Sequence, residues 1–192
     1  EEVSRGLGDV YKRQILENTV EGLLESLDLV SDKRFKYWEF DVRESSDGVL
    51  FVFHDDCIKI NGKMIETRYL SYDEIYRAGE SMMISIPTFQ QVMEVLKDRE
   101  ERVMIEIKNV HSDVARETLL LSVSGSEDWI LMSTPERFVK SFPSTTRDLW
   151  NERARTLGVK LVRVGRHRVD LFKASRFLIG WYFAKPKWFF GF

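Results

Sequence analysis

The sequence predicts an α/β fold on a parallel sheet, a TIM-type (β/α) barrel that the chain leaves incomplete. Apolar strand-like runs alternate with helix-like stripes, which argues for parallel strands joined by crossover helices in a barrel or a doubly wound sheet. Polar residues recur near the C-terminal ends of those strands, the face on which a barrel carries its active site. The 192 residues hold only about four or five strand–helix units, whereas a full barrel takes about 250 residues.

Residues 1–14 (EEVSRGLGDVYKRQ) show no clear periodicity and no apolar signal-peptide core. They resemble a translated sequencing-adapter stretch. They are therefore set aside as a non-native leader, with the native N-terminus lost, and residues 15–192 are read as a partial barrel domain. From Glu17 to Leu29 a helix is expected, because Val20, Leu23, Leu24 and Leu27 share one face and Asn18 with Glu21 reads as a capping box. In the strand Trp38–Arg43, alternation puts Glu39 and Asp41 on one face and Trp38, Phe40 and Val42 on the other. Asp47-Gly48 marks a turn, and the strand after it, Val49–Phe53, delivers His54 at its C-terminal end.

Ser71 with Glu74 opens a short helix that Gly79 can close, and Thr88 with Gln91 opens another bearing Phe89, Val92, Met93 and Leu96. The strand Arg102–Lys108 again has unlike faces, with Val103, Ile105 and Ile107 opposite Met104, Glu106 and Lys108. A helix at about 112–123 comes next, then a strand at 129–133 and a helix opened by Thr134-Pro135-Glu136. A charged helix, 147–157, ends at Gly158, and the strand 159–164 completes the pattern.

Composition narrows the function classes. A formal net charge of −2 gives no global pull toward nucleic acid. The single cysteine, Cys57, excludes an internal disulfide framework and any cysteine-based zinc site. No apolar run is long enough for an ordinary transmembrane helix. The tail 166–192 carries six Lys/Arg against one Asp and nine of the 24 aromatic residues. It reads as barrel core whose partner strands lie elsewhere, with weak membrane-surface contact as the competing reading.

The chemistry gathers at Glu39, Asp41 and His54. Two acids about 7 Å apart along a strand, with a histidine returned by a short connection, make a metal and acid–base site. The competing reading is a surface strand with solvated acids and a loop histidine.

Further motifs decide between these readings. Glu17-Asn18-Thr19, Glu39-Phe40-Asp41-Val42, Asp47-Gly48-Val49, His54-Asp55 and Glu106-Ile107-Lys108, in this order and spacing, resemble the glycerophosphodiester phosphodiesterase family. Ile86-Pro87-Thr88 and Ser133-Thr134-Pro135-Glu136 also sit where that family has similar segments, and the resemblance covers about residues 15–140. It implies a barrel that uses a divalent cation, calcium or magnesium, to hydrolyse small glycerophosphodiesters to glycerol 3-phosphate and an alcohol. It implies Glu39, Asp41 and Glu106 as metal ligands, an all-oxygen set suited to a hard cation. His54 matches the acid–base histidine. Lys108 and Glu17 match substrate-binding positions, although Glu17 also reads as an acid favoured near a helix N-terminus.

One departure stands out. The family opens on a strand ending in His-Arg-Gly, which supplies a second histidine and a phosphate-binding arginine. Ser4-Arg5-Gly6 lies too far from Glu17 to be that segment, and neither His111 nor His167 matches a family position. The expectation is that this chain is nearly inactive and its parent an enzyme. A related phosphoinositide or sphingomyelin phosphodiesterase, and a non-catalytic phosphate- or lipid-binding relative, are the alternatives. Localisation is left open, with the cytoplasm slightly favoured.

Overall fold

A computed structural model describes residues 18–163 apart from Arg34. The leader 1–14, Glu17, His167 and the basic aromatic tail lie outside the described residues.

A short helix α1 (Val20–Glu25) and a 3-10 turn (Leu27–Ser31) lead into strand β1 (Trp38–Glu44). Strand β2 (Leu50–Val52) returns antiparallel to β1, pairing Val42 with Val52 and Glu44 with Leu50. The turn between them holds Gly48 at φ 84°, a conformation that glycine adopts without a Cβ penalty. A second hairpin comes next, β3 (Cys57–Ile60) and β4 (Lys63–Glu66), then helices α2 (Tyr72–Ser81) and α3 (Phe89–Leu96). The chain continues as β5 (Val103–Asn109), α4 (Asp113–Val123), β6 (Trp129–Ser133), α5 (Pro135–Ser141), α6 (Arg147–Thr156) and β7 (Lys160–Arg163).

The main sheet runs β2-β1-β5-β6-β7, and β1, β5, β6 and β7 are parallel. Among the described residues it is an open arc. Its apolar face carries Phe40, Val42, Ile105, Ile107 and Leu131, packed with Phe89, Val92, Leu119, Leu120 and Phe138 from the helices. A smaller core joins Phe51 of β2 to Ile58, Ile75 and Ile86, seating the β3–β4 hairpin and α2 beside the C-terminal end of β1.

Several local expectations hold. Ser71 and Thr88 form complete capping boxes, and Pro135 occupies the first turn of α5. Others are corrected. Thr19, not Asn18, caps α1, because its side chain accepts from Gly22 N while Asn18 turns to φ 60° outside the helix. Gly79 does not close α2, which runs on to Ser81. It is glycine because α2 presses against the returning Ile84–Ile86 segment. A Cβ at Gly79 would lie 2.8 Å from the Ile84 carbonyl oxygen and 2.9 Å from Ile86 Cδ1. The β3–β4 hairpin was not anticipated, although Asn61-Gly62, at φ 50° and 79°, is the dipeptide that a two-residue hairpin turn demands.

Gly79→Ala should lower unfolding stability by about 1–3 kcal/mol, read as a shift in urea midpoint, since the obstructing atom is backbone and not a flexible tip.

Candidate metal and acid–base site

Strand alternation sends Glu39, Asp41 and Arg43 to the face opposite Phe40 and Val42. Parallel pairing then sets Asp41 beside Glu106. One carboxylate oxygen from each of Glu39, Asp41 and Glu106 lies within 4.8 Å of the other two. Asp41 is buried, Glu106 is nearly so, and Glu39 reaches solvent along part of its side chain while its carboxyl loses much of its hydration.

Lys108 enters this cluster on the face that alternation from Glu106 assigns it, at a shift in the register of β1 against β5. Val42 pairs with Ile107 and Arg43 with Asn109, so Lys108 is an extra residue on β5, a bulge. The ammonium stands 2.9 Å from Asp41 Oδ1 and 2.8 Å from Glu106 Oε1. Asp41 Oδ1 is buried and accepts no aligned hydrogen bond, so the Lys108 contact is an ion pair rather than a directed bond.

The acids still strain one another. Loss of hydration raises the Glu39 carboxyl to about 7, and the charges of Asp41 and Glu106 add to the rise, while Lys108 and His54 oppose it. An oxygen-only cluster whose negative charge is only partly offset is the donor set that a hard cation takes. The Lys108 ammonium already stands among two of these carboxylates as a resident positive charge.

Asn18 supports the cluster from the side. Its left-handed backbone brings the amide onto Asp41, where Oδ1 accepts from Asp41 N at 3.2 Å and Nδ2 donates to Asp41 Oδ2 at 3.4 Å. Sequence reasoning assigned Asn18 to a helix cap and missed this role. Asparagine's tolerance of the left-handed region was the available signal.

His54 lies two residues past β2, with its side chain 67% exposed and its Nδ1 2.8 Å from Asp55 Oδ1. A pocket of about 250 Å³ opens beside it, lined by Asn18, Phe53, His54, Asp55, Ile84, Ser85 and Ile86. The segment bearing His54 is tied to β1: Phe53 N donates to the Asp41 carbonyl, and Arg43 donates to the Phe53 and His54 carbonyls and to Asp56. Burial alone would raise the Asp56 carboxyl, but the hydrogen bond and charge of Arg43, with those of Arg137, hold it below its usual value. His111 lies away from these groups; its backbone N and that of Ser112 donate to the buried Glu44 carboxylate at the start of α4.

The profile of the glycerophosphoryl diester phosphodiesterase family matches residues 5–175. The chain belongs to this family. The matched span takes in residues that sequence reasoning set aside as leader, and it extends past the end of β7 into the tail. No curated protein matches closely enough to count as a relative. Among solved structures, a candidate glycerophosphodiester phosphodiesterase from Galdieria sulphuraria is 18% identical with TM-score 0.52, over 82% of this chain and 64% of that one. The glycerophosphoryl diester phosphodiesterase domain of an uncharacterised Mycobacterium tuberculosis protein is 15% identical with TM-score 0.55, over 85% of this chain and 60% of that one. At these identities the likeness is one of fold. The phosphodiesterase-family chain thus has a TIM-type barrel fold, of which the described residues form an open arc, and it spans less than two thirds of either structure.

Two outcomes are expected of the metal-free chain. Glu39 has a folded value of about 7 against an ordinary 4.5, so the folded state holds its proton more tightly and loses stability as pH rises between those values. Glu39→Gln should therefore match the parent chain at pH 4.5 and exceed it in melting temperature above pH 7. Separately, Asn18→Ala should lower unfolding stability by about 1 kcal/mol in urea titration, because it removes both hydrogen bonds that Asn18 makes to Asp41.

Proposed function

We propose that this chain carries the metal-binding and proton-transfer groups of a glycerophosphodiester phosphodiesterase. The reaction is hydrolysis of a small glycerophosphodiester by water to glycerol 3-phosphate and an alcohol. The observation that supports it best is the convergence of Glu39, Asp41 and Glu106 within 4.8 Å on two paired strands, of which β1 also adjoins the His54 segment.

Glu39, Asp41 and Glu106 would hold a divalent cation, calcium or magnesium. When bound, that cation supplies Lewis-acid neutralisation of the phosphate charge. Lys108 balances Asp41 and Glu106 and offers an ammonium to a phosphate or substrate oxygen at the same spot. His54 gives a proton to the leaving alkoxide as the phosphorus–oxygen bond breaks, and its exposure lets the proton be recovered from water. Asp55, against Nδ1, orients the ring so that Nε2 faces outward for this transfer. Glu17 is retained as a substrate-binding residue on the strength of its motif. Nothing observed here favours phosphoinositides or sphingomyelin as the substrate.

Calorimetric titration with calcium and with magnesium tests the metal reading. Asp41→Asn should cost at least about tenfold in affinity, and an unchanged affinity removes Asp41 from the site. In full-length protein hydrolysing glycerophosphocholine, His54→Ala should lower kcat by about 100-fold or more with metal affinity intact. Unchanged turnover would end the acid–base assignment.

A further inference from the structure

We propose that Arg43 is a positioning residue that sets His54 at its working distance from the carboxylate cluster, and that Asp56 and Arg137 complete the brace. This rests on the metal and acid–base reading of the site.

Arg43 comes after Glu39 and Asp41 on the same face of β1. Its side chain is 2% exposed, which makes it one of the largest fully buried groups in the molecule. All three of its hydrogen bonds go to one short segment. Nε donates to the Phe53 carbonyl at 3.0 Å, Nη2 to the His54 carbonyl at 2.6 Å and Nη1 to Asp56 Oδ1 at 2.7 Å. That segment lies beyond the ladder of β2, which stops at Val52. Among the described residues the His54 ring pairs with its sequence neighbour Asp55, an exposed contact that travels with the segment and cannot fix it against β1. The segment is therefore held to β1 through its main chain: Phe53 N donates to the Asp41 carbonyl, and Arg43 adds the direct hold on the His54 carbonyl.

Arg137 of α5 closes the brace from the other side. It donates to Asp56 Oδ1 at 3.1 Å, to Asp56 Oδ2 at 3.2 Å and to the Lys108 carbonyl at 3.3 Å. Asp56 is thus shared by two guanidinium groups, one rooted beside Asp41 and the other touching the strand of Glu106. The histidine segment is referenced to both metal-ligand strands at once.

The residue type fits this task better than a purely structural one. The Arg43–Asp56 pair joins a buried guanidinium to a carboxylate that is 61% exposed, so solvent screens its electrostatic gain, and the opposite face of β1 shows that this strand is packed well by apolar groups. What an apolar group cannot do is bind three acceptors at fixed angles. A guanidinium has five donors in a rigid plane, whereas a lysine is a flexible point charge.

The test uses Mn²⁺ as a paramagnetic probe at the carboxylates of the full chain, with labelled histidine. The relaxation enhancement at the His54 ring and the order parameter of the His54 amide are measured together. In Arg43→Lys and Arg43→Gln, the enhancement at His54 should fall several-fold while that at the Asn109 amide stays as before. The amide order parameter should drop from about 0.85 to below about 0.6, with Mn²⁺ affinity unchanged. Arg137→Gln, at a partly exposed position, should give a smaller loss in the same direction, and it decides the matter if both Arg43 variants fail to fold. Wild-type enhancement and order at His54 in the folded variants would overturn the proposal, making Arg43 a packing residue only. If Mn²⁺ does not bind, or binds regardless of Asp41→Asn, the metal reading fails instead, and the order parameter alone then judges the brace.

Discussion

The parallel register of β1 against β5 sets Asp41 beside Glu106 and asks opposite things of the two faces of the same strands. One face buries Phe40, Val42, Ile105 and Ile107 among the helices. The other gathers carboxylates that repel one another. Each fully buried apolar side chain contributes about 1.5–3 kcal/mol, so the apolar face can hold the acidic one together at distances the acids alone would not choose. The lysine bulge then relieves part of the repulsion from within the same pair of strands. Every other feature of the site is arranged around that pairing.

The elements were legible wherever one face is apolar and the ends carry local chemistry. The Ser71 and Thr88 caps, the Trp129–Ser133 strand and the glycine turn after β1 depend on residues within four positions of each other, and the structure shows them as expected. Glu39, Asp41 and Glu106 were legible as candidates because their order and spacing match a family pattern, and the structure brings them together.

The features that escaped the sequence depend on contacts that no local pattern encodes. Gly79 looked like a helix terminator and is a close-approach residue, a distinction made only by the return of Ile84 and Ile86. Asn18 looked like a cap and is a clasp on Asp41, 23 residues away. The role of Arg43 left no mark in the local pattern, because its three acceptors come from beyond a turn. Alternation from Glu106 placed Lys108 on the correct face, and what it could not show is the shift of register at that residue.

The shared carboxylate of Asp56 also orders events in time. Arg43 meets it across 13 residues, within reach of a hairpin that closes early and locally, whereas Arg137 meets it across 81. The second contact exists only once β5, β6 and α5 have docked. The hairpin can therefore form with its histidine held from the β1 side by Arg43, and the second guanidinium arrives with α5. A misassembled sheet would carry the right residues in a half-clamped state, so completion of the distal helices is registered at the site itself.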